Sequence, residues 1–241
     1  MVAVHGFTQN RNCWESLRPI LEKSFTLVRV DAPGHGRSSH VRLGLAEGAE
    51  MMVSSVARVA PTPAAWLGYS MGGRFCLNVA LRRPAAVRAL VLVSTTAGLE
   101  DPSERQVRHL SDEQIAKMIE TTELESFLKS WLGQPLLAST PPETAAMAAR
   151  LENTSEGLAS SIRLAGSGSM EPVWHRLGDI KVPTLVVAGE DDHKYVEFAE
   201  RMVASLGGPA TLKVLPKAGH ACHLEQPEAF GEAVVEFLEA L

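Results

Sequence analysis

The residues most able to do chemistry are Gly68-Tyr69-Ser70-Met71-Gly72. They follow the apolar run Ala64-Ala65-Trp66-Leu67 and lead into a helical stretch from Arg74 to Arg83. A strand, a Gly-x-Ser-x-Gly turn and a helix make a nucleophile elbow, which lifts the serine hydroxyl above the sheet edge beside the positive end of the helix. The flanking positions need glycine because a side chain there would collide with neighbouring backbone. A serine hydroxyl is neither a useful nucleophile nor a useful base at pH 7 without a histidine to take its proton, and a buried carboxylate normally orients that histidine. After an elbow, the acid is expected in a loop behind a late strand and the histidine behind the last one. Gly189-Glu190-Asp191-Asp192 follows the apolar run Leu185 to Ala188, and Lys217-Ala218-Gly219-His220 follows Thr211 to Leu215. The expected unit is therefore Ser70, Asp192 and His220, with Asp191 the rival acid and His223 either an alternative base or a pocket wall. The oxyanion donors should be the amides of Met71, next after the serine, and of Phe7 in the early loop His5-Gly6-Phe7. His5 itself has no proton-transfer partner and reads as a brace for that loop.

These residues need a scaffold. Val2-Ala3-Val4, Thr26 to Val30, Trp66 to Tyr69, Val87 to Val93, Pro183 to Ala188 and Thr211 to Leu215 read as strands, several apolar on both faces. Helical spacing marks Trp14 to Leu21, Leu45 to Arg58, Phe75 to Leu81, Val196 to Leu206 and Pro227 to Leu241. Strands alternating with helices predict an α/β fold with a mostly parallel, doubly wound sheet. From about Leu99 to Leu177 the strands stop. Asp112 to Thr121, Glu123 to Leu132, Pro142 to Leu151 and Leu158 to Leu164 read as helices, broken at Gly133-Gln134-Pro135 and Gly166-Ser167-Gly168. The expected organisation is a core of residues 1–96 and 178–241 with a helical lid, 97–177, inserted in it.

Composition narrows the partners. The chain has 241 residues and a formal net charge of −5, which gives no general basic field for nucleic acid or a membrane surface. An anionic ligand must be met by local arginines. Cys13, Cys76 and Cys222 are odd in number, widely spaced and without a CxxC, which points to reduced thiols and a cytoplasmic protein. The N-terminal residues lack a basic segment followed by an apolar one, so no signal peptide is expected. His5, His35 and His40 lack metal-ligand spacing. Gly34-His35-Gly36 is no dinucleotide fingerprint and there is no P-loop, so no metal and no cofactor is expected.

At this level the whole chain resembles the α/β-hydrolase superfamily, and within it the 2-succinyl-6-hydroxy-2,4-cyclohexadiene-1-carboxylate synthases of menaquinone biosynthesis. The matching stretches are His5-Gly6-Phe7-Thr8, Asp31-Ala32-Pro33-Gly34-His35-Gly36, the elbow continued through Gly73-Arg74, Trp131 with Gln134-Pro135, Arg150 to Asn153, Gly157 to Arg163, Gly189 to Tyr195, and Ala218 to Glu225. Two departures stand out. Only four residues precede His5, where that family usually carries a strand or two, and Ala165-Gly166-Ser167-Gly168 replaces its more usual Met-Gly-Thr-Gly. The resemblance implies a lyase that eliminates pyruvate from a small substrate bearing several carboxylates, with Ser70 acting as a base. It also implies that Arg74 and Arg108 bind those carboxylates, that Arg150 or Arg163 supplies a third guanidinium, and that Tyr69 and Trp131 line the pocket. A serine hydrolase acting on an ester or a carbon–carbon bond would use the same Ser-His-Asp unit and differ in pocket contents.

Overall fold

The apolar runs form six strands in the computed structural model, which describes residues 1–241: β1 Val2–Val4, β2 Val28–Val30, β3 Ala64–Tyr69, β4 Val87–Val93, β5 Thr184–Gly189 and β6 Ala210–Leu215. All pair in parallel, in the order β2-β1-β3-β4-β5-β6. Side chains alternate between the faces of a strand, and the two faces carry separate cores. Trp66, Leu90 and Leu92 face one core with Met52, Phe75 and Met202. Leu67, Val91 and Val93 face the other with Trp14, Leu21 and Phe230. Each such fully buried side chain contributes on the order of 1.5–3 kcal/mol. Both layers exist because parallel strands need crossover helices, and these cover the two faces.

The covering helices are α1 Arg18–Leu21, α2 Leu45–Val56, α3 Met71–Arg82, α8 His193–Ser205, α9 Cys222–Glu225 and α10 Pro227–Glu239. Between β4 and β5 the chain holds α4 Pro102–Thr121, α5 Leu124–Leu132, α6 Met147–Arg150 and α7 Ser155–Ala165, and no strand. These four are held over the sheet by their own small core, including Ile119, Phe127, Leu158 and Ile162. Helix α4 is twice the expected length. Asp101 caps it by accepting from the amides of Ser103 and Glu104 at 2.8 and 2.9 Å, with Pro102 at its first position.

Three more expected elements differ. The helix over Trp14–Leu21 is a 3-10 turn at Arg11–Trp14 and a short α1, because Pro19 can only begin a helix. The helix over Pro142–Leu151 shrinks to Met147–Arg150, preceded by Ala146 in the left-handed region at φ 55°. The strand expected from Thr26 starts at Val28, since β1 opposite it offers only three residues. No helix is long and apolar enough to cross a membrane.

Candidate active site

β3 ends at Tyr69 and α3 begins at Met71, so Ser70 alone makes the reversal, at φ 51° and ψ −110°. Non-glycine residues enter such a region only when the surroundings enforce it. Here the Ser70 amide donates to Val93 O at 2.8 Å and its carbonyl accepts from Thr95 Oγ1 at 2.7 Å. A Cβ on Gly68 would lie 2.4 Å from Gly72 O, and one on Gly72 would lie 2.0 Å from Val4 O. Both glycines of the motif are thus dictated by backbone, which does not yield.

Ser70 occupies the cap position of α3 but its side chain makes no cap bond. Its Oγ lies 3.2 Å from His220 Nε2, and His220 Nδ1 lies 2.7 Å from Asp192 Oδ2. Asp192 likewise stands at the cap position of α8 without capping it; its carboxylate goes to the histidine. His220 and Asp192 are both buried, which makes their bond short and directional. Asp191 is exposed and makes no hydrogen bond to the histidine. His223 is buried with neither ring nitrogen partnered, packed against Tyr69 at 4.1 Å and Trp14 at 5.2 Å; it neither reaches Ser70 nor lines the pocket, so both expected roles give way to one in the core. Burial pushes its imidazole down to about 3.

The amides of Phe7 and Met71 donate to no backbone carbonyl. The Phe7 loop is held from beneath by two histidines in matching roles. His5 Nδ1 donates to Gly6 O at 2.7 Å while its Nε2 accepts from the Ala32 amide at 3.0 Å. His35 Nδ1 donates to Pro33 O at 3.1 Å while its Nε2 accepts from the Thr8 amide at 3.3 Å. Each is thereby fixed as the neutral tautomer. Burial lowers His5 to about 4 and His35 well below its usual value.

In front of Ser70 lies a pocket of about 90 Å³, partly open to solvent. Its walls include Phe7, Tyr69, Arg74, Thr95, Thr96, Arg108, Trp131, Ile162, Ser167, Tyr195 and His220. The lining, apolar and aromatic with a few convergent polar groups, is of the kind that orients a small molecule. Over residues 1–233 the chain matches the family described as "Alpha/beta hydrolase family".

The chain belongs to the alpha/beta hydrolase family.

Among alpha/beta hydrolases it is similar to a Bacillus subtilis (strain 168) protein provisionally named 2-succinyl-6-hydroxy-2,4-cyclohexadiene-1-carboxylate synthase, at 34% identity over 100% of this chain and 90% of that one. A protein of that name from Serratia proteamaculans (strain 568) is 28% identical over 99% of this chain and 92% of its own length. The solved structure of MenH from S. aureus superposes with a TM-score of 0.92 at 28% identity, covering 99% of this chain and 92% of that one.

The four arginines singled out in this alpha/beta hydrolase have different fates. Arg74 is only 8% exposed, lines the pocket, and leaves Nη1 without a partner; burial lowers its pKa to about 10, so it stays charged at neutral pH. Arg108 lines the pocket too. Its Nε is tied to Asp112 Oδ1 at 2.7 Å, one turn ahead on α4, rather than to Glu104 one turn behind. Arg150 is a correction: it is buried and absent from the pocket wall, donating through Nε to Ala145 O at 2.7 Å and through Nη1 to Thr8 Oγ1. It stitches α6 to the Phe7 loop, beside Asn153, whose side chain donates to Thr8 O at 2.9 Å and accepts from the Gly36 amide at 2.7 Å. Arg163 is also a correction. Its guanidinium is taken by Glu113, at 2.8 and 3.1 Å, and by Glu120 on the outer side of α4, and it does not reach the pocket.

Tyr69 and Trp131 both line the pocket, Trp131 edge-on to Phe7 at 5.1 Å. Sequence reasoning missed Thr95, Thr96, Ser167, Asp112 and Tyr195 as site residues. Two carried a signal. Asp112 stands four residues after Arg108 on one helix face, and Tyr195 stands three after Asp192 on another. The threonines and Ser167 reach the pocket from loops whose course spacing does not reveal.

Proposed function

We propose that this alpha/beta hydrolase is a lyase that eliminates pyruvate from 2-succinyl-5-enolpyruvyl-6-hydroxy-3-cyclohexene-1-carboxylate, with residues 97–177 as its lid. The observation that carries this reading is the presence, in one pocket with a Ser-His-Asp relay, of a buried and unpartnered Arg74 and a tethered Arg108. A buried guanidinium without a counter-ion is costly unless a ligand anion completes it. A neutral ester would leave both arginines idle; a substrate with several carboxylates uses them.

In this reading Ser70 Oγ removes the ring proton next to the succinyl carbonyl, and His220 takes the serine proton as the new bond forms. The released electron pair becomes a ring double bond, the existing double bond shifts, and the carbon–oxygen bond to the enolpyruvyl group breaks. The departing oxygen is protonated by His220, and the enol becomes pyruvate. Negative charge grows on the succinyl oxygen during proton removal, where the amides of Phe7 and Met71 would hold it. Asp192 keeps Nδ1 protonated and steadies the imidazolium. No electrons are gained or lost overall.

Pyruvate release from that precursor tests the reading, beside cleavage of a short-chain nitrophenyl ester. Fast pyruvate release with negligible ester cleavage is expected, and Ser70→Ala should lower the rate at least about 10³-fold with little change in melting temperature. Ester cleavage without pyruvate release would make the protein a serine hydrolase instead.

A further inference from the structure

We propose that the Tyr195 hydroxyl is a substrate-binding donor, joining Arg74 and Arg108 in gripping one carboxylate and so setting specificity for it. The proposal rests on the reading of an anionic substrate given above.

Tyr195 lies one helical turn beyond Asp192, its amide donating to Asp192 O at 2.9 Å. That spacing puts its ring on the same face of α8 as the acid, and hence beside the histidine that the acid holds. The ring stands edge-on to His220, with centroids 4.4 Å apart and planes at 61°, and edge-on to Phe198 at 5.6 Å and 89°. Gripped between these two, it cannot swing away, and its hydroxyl is fixed relative to the reacting atoms. Tyr195 lines the same pocket as Ser70, Arg74 and Arg108.

No side chain hydrogen-bonds to the hydroxyl, and the charges that act on it are Arg74, Arg108 and Asp192. Tyr195 is half-buried at the pocket wall, so its hydroxyl is free to donate to a bound ligand. Arg74 Nη1, which is buried where Tyr195 is half-buried, also has no hydrogen-bond partner. Two unfilled donors and a tethered cation around one cavity match a carboxylate, whose two oxygens offer about four acceptor positions. The choice of a phenol has a physical reason. Arg74 and Arg108 already repel each other, the field of Arg108 lowering the pKa of Arg74. A third cation would add to that repulsion, whereas a neutral hydroxyl adds a hydrogen bond without charge. Burial raises the phenol's pKa, so it remains protonated and a donor at neutral pH.

Tyr195→Phe keeps the ring against His220 and removes only the oxygen. Succinate, as a dicarboxylate probe, is titrated into wild type and variant by calorimetry, and pyruvate release is measured with each. We expect roughly ten-fold weaker succinate binding in the variant, in line with loss of one hydrogen bond to a charged group. KM should rise by a similar factor while kcat and melting temperature hold. Arg74→Gln should weaken succinate binding further, which places the probe at the arginines. Succinate binding by Tyr195→Phe within two-fold of wild type, or no measurable succinate binding by wild type, would overturn the proposal. A wild type that binds succinate but releases no pyruvate would instead overturn the lyase reading while the comparison of affinities still decides Tyr195.

Discussion

Lowering the pH from 7 to 5 should destabilise this protein through the buried histidines His5, His35 and His223. In an unfolded chain a histidine titrates near 6.5. In the folded protein His5 is held at about 4 and His223 at about 3. The folded values are depressed, so stability is complete above about pH 6.5, where both states are neutral. It falls as the unfolded state alone takes up protons, and the loss levels off only below about pH 4 for His5 and pH 3 for His223. Between pH 7 and 5 each histidine should cost about 2 kcal/mol, roughly 4 kcal/mol for the pair; His35 adds in the same direction. That is a large part of the 5–15 kcal/mol typical of a folded domain. The geometry explains the size. Protonating Nε2 of His5 or His35 would set a donor against the Ala32 or Thr8 amide, and His223 has no acceptor at all. Urea unfolding followed by tryptophan fluorescence at pH 7, 6 and 5 measures the effect, with His223→Leu as the control. The variant should lose about 2 kcal/mol less than wild type over that interval. A urea midpoint that stays flat to pH 5, or a His223→Leu protein with the wild-type pH slope, would refute the reasoning.

Two further substitutions test other parts of the site. Gly72→Ala places a methyl group 2.0 Å from Val4 O and 2.7 Å from His5 O, so it should lower stability by at least about 1–3 kcal/mol and displace the Phe7 loop, read as a lowered melting temperature and lost activity together. Asp112→Asn removes the carboxylate that accepts from Arg108 Nε and, at 3.1 Å, from the Gly168 amide. It should cost about 1–3 kcal/mol and raise KM for an anionic substrate more than it lowers kcat; unchanged KM would show that the tether is only structural.

Much of the scaffold was legible because its signals are local. Six apolar runs, an elbow motif and two strand-end loops carry their meaning within a few residues each. The elbow is the clearest case: Gly68 and Gly72 are required by collisions with backbone that the motif itself and the neighbouring β1 create. Elements without a dominant period were less legible. Pro142 to Leu151 has helical composition, but Ala146 turns left-handed and only Met147–Arg150 is helical. Asp192 could equally have been a helix cap by sequence alone. It occupies the cap position, and only its distance to His220 shows that the side chain serves the histidine.

The arginines mark where spacing stops being informative, and α4 shows why. Consecutive residues on a helix point about 100° apart, so Asp112 and Glu113 face different sides of α4. Asp112 is 1% exposed and turns inward, where it tethers Arg108 at the pocket. Glu113 turns outward and, with Glu120 two turns on, takes up Arg163 from α7 on the protein surface. An ion pair so exposed contributes little to stability, but it keeps Arg163 from the pocket. Both arginines sit on helices inserted between β4 and β5, within reach of neighbouring acids. What separates a ligand-binding arginine from a structural one is whether its acids leave donors free toward the cavity: one carboxylate holding Nε leaves the rest of the Arg108 guanidinium available, whereas two carboxylates occupy Nε and both terminal nitrogens of Arg163. That distinction depends on how α4 and α7 pack against each other, which no window of sequence around either arginine contains.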